Sequence, residues 1–253
     1  MRRLILPAII PTAIALFSMT ACNPWQYMTV NSPQLTRNDF NQFVFENDTL
    51  RLIYDMAGDG GQVTLRILNK TSQPLTINWE KSAFIRNQQS ISLIDKDVII
   101  HGRTIRYSRY SSTFIGSFPR SGDVGLVPPG SEISNDLPTL AKTGPLQVYV
   151  PDSLPQKKLV ETNGINSVKF RQLHYDESGS PIRFKAYLTF SIGHDNKEFS
   201  LTNNFYVSDV YQADGGPESF SLYHGHGDQI YIHQKTYNEG LAESPPTASS
   251  GIR

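Results

Sequence analysis

The chain has 253 residues, 23 Lys and Arg against 23 Asp and Glu, and one cysteine, Cys22. The even charge balance argues against nucleic acid or an anionic surface as an electrostatic partner, and the chain after Cys22 lacks a disulfide, a thiolate ligand and a thiol nucleophile. Abundant Tyr, Phe, Thr, Ser and Asn, with few Ala-Leu-Glu-Lys runs, favour strands over helices, and the length suffices for one large β-domain or two small ones.

Arg2 and Arg3 precede an apolar run from Leu4 to Phe17, interrupted by Pro7 and Pro11 and followed at once by polar residues. A run shorter than the roughly 20 residues of a bilayer span reads as the n- and h-regions of a secretory signal rather than an anchor helix. Met19-Thr20-Ala21-Cys22 resembles the bacterial lipobox, with Met in place of the more usual Leu at its first position. That resemblance implies removal of residues 1–21 and acylation of Cys22, and so a partner in the membrane reached through acyl chains. Without Arg2 and Arg3 the 23 Lys and Arg fall to 21 against 23 Asp and Glu, a net charge near −2.

Residues 22–40 are polar with scattered aromatics, among them Pro24, Trp25 and Tyr27, and read as a tether. The β-domain is expected from 41 to 237. Its first strands are Phe43 to Phe45, Leu50 to Tyr54, Val63 to Leu68 and Leu75 to Trp79. Alternation puts Val63, Leu65 and Ile67 on one face, and Gly58-Asp59-Gly60-Gly61 reads as a hairpin turn, since glycine takes positive φ without strain. Asn69-Lys70-Thr71 fits a glycosylation sequon but reads as a polar turn inside an early hairpin with Leu75 to Trp79. That strand continues to Ile85, and Asn87 to Ser90 turns into Ile91 to Ile94, with Val98 to Ile100 closing the first half.

From His101 to about Pro145 the pattern is irregular, a central insertion punctuated by Gly, Ser and Pro. It holds Arg103, Arg106, Tyr107, Arg109 and Tyr110, readable as an exposed binding loop or as an edge strand with Arg outward. Val127 to Ile133 contains a Pro-Pro-Gly-Ser turn into a strand, Leu146 to Val150 reads as another strand, and Asp152 to Gly164 as a loop or short helix. Val168 to Tyr175 and Ile182 to Ile192 read as a long hairpin. In Glu198 to Tyr211 the residues Phe199, Leu201, Asn203, Phe205, Val207 and Asp209 share a face. Phe220 to Tyr223 and Ile230 to His233 are the last strand-like pieces, and residues 238–253 read as a disordered tail.

The run from Gly60 to Thr71, then Trp79 to Ile85, then the Pro-Pro-Gly-Ser turn, resembles uncharacterised lipoproteins of Bacteroides-type bacteria. In that family a lipobox precedes an Ig-like β-domain, and the likeness spans about residues 43–131. The resemblance implies location and fold but no catalytic residue. The expected fold class is all-β, an Ig-like antiparallel β-sandwich with an irregular central insertion.

The sharpest chemical cluster is His224-Gly225-His226-Gly227-Asp228 with His233 nearby. Imidazoles two residues apart on a strand share a face, and His233 or Asp228 would complete a Zn²⁺ or Cu²⁺ site, but the flanking glycines make the stretch a flexible turn. No cofactor is expected. No Gly-x-Ser-x-Gly elbow, phosphate-cradling loop or singled-out carboxylate pair is present. Trp25, Tyr107, Tyr110, Tyr223 and Tyr231 are the aromatics available to stack on a sugar. The expectation is therefore a non-catalytic, lipid-anchored envelope protein with a structural or protein-interaction role. Glycan binding is the first alternative, and a metal-dependent enzyme built on His224 and His226 the second. Residues 23–26 lack an acidic cluster, which favours the periplasmic side over the cell surface.

Overall fold

The computed structural model describes residues 24–93, 101–108, 111–117, 124–160, 167–193, 197–225 and 227–233, with backbone alone for 101–108 and 111–117. The expected signal, Cys22, Arg109, Tyr110, His226 and the expected tail lie outside the described residues.

The protein is all-β. The strands are β1 (Trp25–Asn31), β2 (Thr36–Arg37), β3 (Phe43–Glu46), β4 (Leu50–Asp59), β5 (Gln62–Asn69), β6 (Leu75–Arg86), β7 (Gln89–Ser92) and β8 (His101–Ser108). There follow β9 (Ser111–Ser117), β10 (Val124–Val127), β11 (Glu132–Leu137), β12 (Lys157–Val160), β13 (Ser167–His174), β14 (Arg183–Ile192), β15 (Glu198–Ala213) and β16 (Gln229–His233). Among the described residues the one helical element is a 3-10 turn at Leu140–Thr143.

Backbone pairing joins fourteen strands, all but β8 and β9, into one mixed sheet with two antiparallel halves. One half runs β2-β3-β4-β5-β11; the other runs β10-β6-β14-β15-β1-β16, with β13 and β12 beside β15. They meet where β16 lies parallel to β4 at Ile230 and Gly58. Their apolar faces share one core. Phe43 and Tyr54 from the first half set their rings 5.3 Å from Phe205 in the second, and Phe205 stacks on Phe184 at 5.2 Å. Val63, Leu65 and Ile67 are buried together as their alternation requires. Each such side chain contributes about 1.5–3 kcal/mol on burial.

The expected tether instead holds two strands, β1 over Trp25–Asn31 and β2 over Thr36–Arg37. Trp25–Asn31 pairs with β15 on one side and β16 on the other, and Gln26, Tyr27, Met28 and Val30 are buried. Gln26 is tolerated there because its amide donates to the Val148 carbonyl at 2.6 Å and accepts from the Val148 N–H at 3.0 Å. The Leu146–Val150 segment is thus held by a side chain rather than by a strand ladder, although Leu146, Val148 and Val150 alternate inward.

Two expected pairings also differ, and so do one shared face and two local elements. β5 and β6 do not form a hairpin; the chain arches from one half of the sheet to the other at Asn69, whose buried amide bonds Gln73 O, Val127 O and Thr71 N. The Pro-Pro-Gly-Ser turn arches alongside, with Gly130 at φ 65° donating to Asn69 O. β13 and β14 do not pair with each other but lie end to end along one edge of β15. The face shared by Asn203, Phe205 and Val207 does not continue to Asp209, because Ser208 bulges between them and reverses the alternation. Lys157–Val160 is a strand where a loop or short helix was expected, and Phe220 to Tyr223 is a turn where a strand was expected.

Candidate functional site

Two surfaces of the β1–β15–β14 region gather side chains suited to binding. The first lies at the pole where β1 begins. With Gln26, Met28 and Val30 facing the main core, Trp25 and Tyr27 face the other way, into a second cluster formed with Val168, Phe170, Ala213 and Phe220. Tyr27 stacks on Phe220 at 4.5 Å, and its hydroxyl donates to Gly215 O at 2.6 Å. Trp25 lies 5.6 Å from Tyr231 and 4.5 Å from His233, and Tyr223 lies 5.3 Å from Tyr231. Trp25, Tyr223, Tyr231 and His233 are half-buried, so the cluster is sealed beneath and open at its edge. Burial raises the hydroxyl pKa of Tyr27, Tyr223 and Tyr231, and the Asp59 carboxylate adds to the rise at Tyr223 and Tyr231.

Three of the sequence's sugar-stacking candidates, Trp25, Tyr223 and Tyr231, are therefore neighbours. Tyr27 was missed with the segment read as a tether; the Trp25-x-Tyr27 alternation against Met28 and Val30 was its signal. The metal candidates are dispersed among other partners. His233 packs on Trp25, and Asp228 is buried in an ion pair with Arg37 at 2.9 Å. His224 is exposed, with its backbone N–H donating to Gln229 Oε1. Among the described residues no group of three or more His, Cys, Asp and Glu could hold a metal ion.

The second surface is a groove of about 470 Å³ on the outer face of β14 and β15. Its floor is set by register: Arg183 opposes Tyr206, Lys185 opposes Asn204, and Ile85 of β6 lies on the other side of Lys185. Beneath it run Phe184 and Phe205, stacked in the core. The walls are the Asn87-Gln88 turn and Glu177, in the loop that separates β13 from β14. Beside Glu177, Asp176 has its carboxyl pKa held low by the Gly179 N–H and the Ser178 hydroxyl. None of the groove's residues was singled out in the sequence as a binding candidate; Asn87 and Gln88 read as a turn, and Arg183 and Lys185 as the wet face of a strand.

Of the Arg/Tyr candidates, Arg103, Arg106 and Tyr107 lie on β8, which among the described residues pairs with β9 in a separate two-stranded sheet; Tyr107 sits at an irregularity in that pairing. Among the described residues no helix is long and apolar enough to cross a membrane. Compared with family models, with curated proteins and with solved structures, the chain finds no match.

Proposed function

We propose that this chain is a lipid-anchored module of the bacterial cell envelope, acylated at Cys22 after removal of residues 1–21. In this reading it is an Ig-like sandwich on the periplasmic side of its membrane, with a non-catalytic structural or protein-interaction role. The observation that carries the reading is the position of β1. Asn23 and Pro24 alone separate Cys22 from Trp25, the first residue of a strand inserted between β15 and β16. An extended chain spans about 3.3–3.6 Å per residue, so an acylated Cys22 would hold the core within about 10 Å of the acyl-bearing surface.

The pole it would hold there has the chemistry of a bilayer interface, where Trp and Tyr place an apolar ring and a polar tip at headgroup level. Trp25 and Tyr231 lie at its rim. The β12–β13 hairpin extends past the level of Trp25 and exposes Lys157, Lys158 and Lys169, with Val160 58 % exposed. Glycan binding, the second reading, draws on the outer groove rather than on this pole.

Expression of wild type and Cys22→Ala in a bacterial host fed labelled palmitate tests the anchor. Wild type should take up label and sediment with membranes, and Cys22→Ala should take up none. Unlabelled wild type, or label retained in Cys22→Ala, would sink the reading.

A further inference from the structure

We propose that the outer groove between the Asn87-Gln88 turn and the 176–181 loop is a binding site for an acidic, carboxylate-bearing saccharide. The site requires neither the lipid anchor nor a particular place in the envelope. At about 470 Å³ it falls in the size range of small-molecule sites. Its floor is rigid, because Arg183, Lys185, Asn204 and Tyr206 stand on paired central strands whose inward neighbours Phe184 and Phe205 are 3 % and 2 % exposed.

Charge selects the ligand class. Arg183 and Lys185 make no ion pair among the described residues, and the one carboxylate in the lining, Glu177, likewise has no partner among them. Within the lining two cations face one anion, while the neighbouring Asp176 carboxylate lies outside it and is turned onto its own loop by the Gly179 N–H and the Ser178 hydroxyl; a guanidinium offers a carboxylate two parallel N–H donors.

The remaining lining selects a saccharide over a simple anion. Asn87, Gln88 and Asn204 carry amides, which donate to and accept from hydroxyls, and Tyr206 supplies a ring and a hydroxyl. Asn204 has its backbone N–H bonded to Gln34 Oε1 and its carbonyl to the Ser32 hydroxyl, which fixes its place on the floor.

The wall is the two-residue turn of the β6–β7 hairpin, where Arg86 pairs with Gln89 and both turn residues must take positive φ. Asn87 and Gln88 both adopt left-handed backbone, at φ 50° and 65°, where glycine is the unstrained choice. For Gln88, which lacks asparagine's tolerance of that region, the strain keeps an amide on the groove wall at the expense of the turn.

The test is calorimetric titration of the mature full chain in detergent micelles with oligogalacturonate, with neutral maltohexaose and with inorganic phosphate. Oligogalacturonate should bind at least tenfold more tightly than either of the others, and more weakly as salt is raised. Arg183→Ala/Lys185→Ala should weaken it at least tenfold. Both side chains are exposed, so the fold should persist. Gln88→Gly gives a readout that no folding defect can imitate: it should raise the melting temperature by relieving the left-handed strain while weakening oligogalacturonate binding several-fold. No binding at millimolar oligogalacturonate would overturn the assignment. So would equal binding of maltohexaose or phosphate, or unchanged affinity in both variants.

Discussion

β1 separates two apolar regions that share its backbone and little else. Met28 and Val30 enter a core where aliphatic and aromatic side chains from both halves of the sheet exclude water, with Leu50, Leu52, Tyr54, Val63 and Ile67 at or near zero exposure. One residue along the strand, about 3.3 Å away, Trp25 and Tyr27 enter a smaller cluster, mostly aromatic, whose rim of Tyr211, Tyr223 and Tyr231 remains half-open. The inner region has the completeness that folding stability requires. The outer one combines apolar rings with hydroxyls at a boundary, and it lies at the end of the sheet where β1 begins.

That contrast predicts unequal penalties. Phe205→Ala should be the most damaging change, because its ring meets Phe43, Tyr54 and Phe184 at 5.2–5.3 Å with no solvent to fill the void. A loss of about 3–5 kcal/mol in urea denaturation is expected. Gln26→Ala comes next: it leaves the Val148 N–H and carbonyl without partners inside the protein, at about 1–3 kcal/mol for each group. Trp25→Ala, at the open edge of the outer cluster, should remove about 1–2 kcal/mol, since part of that ring already meets water. A Trp25→Ala penalty equal to that of Phe205→Ala would erase the distinction and make the outer cluster a second structural core.

Local pattern made the strands legible, and their partners were hidden. The alternation of Val63, Leu65 and Ile67 and the glycine tetrad before them specify a strand and a turn, and both are present. Nothing local distinguishes a hairpin from an arch: Asn69 turns the chain out of its layer only because Val127, 58 residues on, accepts its amide. β13 and β14 carry hairpin-like spacing, yet the long β15 offers one edge with room for both, and its pairing wins. The tether reading failed on a polar residue. Gln26 interrupts the apolar pattern of Tyr27, Met28 and Val30, and its burial makes sense only once Val148 lies beside it. The outer groove was invisible for the same reason, since Asn87, Arg183 and Asn204 come together only through strand register.

The mildest probe leaves the neutral protein untouched and asks both regions the same question through their tyrosines. Tyr54 is fully buried in the inner core with its hydroxyl oxygen accepting from Asn203 Nδ2 at 2.8 Å, and burial raises its pKa well above the ordinary 10.0. Tyr27 in the outer cluster is raised in the same direction, first by burial and then by the approach of Tyr223 and Tyr231. A folded-state pKa above the unfolded value means that neither group affects stability below about pH 10, where the phenol is neutral in both states. Above it the unfolded chain ionises and the folded one resists, so stability should fall as pH rises toward the folded values. Ultraviolet absorbance follows tyrosine ionisation while circular dichroism follows the strand signal. Tyr54 should ionise only as that signal is lost. Tyr27→Phe should delay the alkaline decline while leaving stability at pH 7 within about 1 kcal/mol, the net worth of its bond to Gly215 O. Complete tyrosine titration in a chain that keeps its strand signal would show that water reaches both regions, and the two faces of β1 would then differ in composition alone.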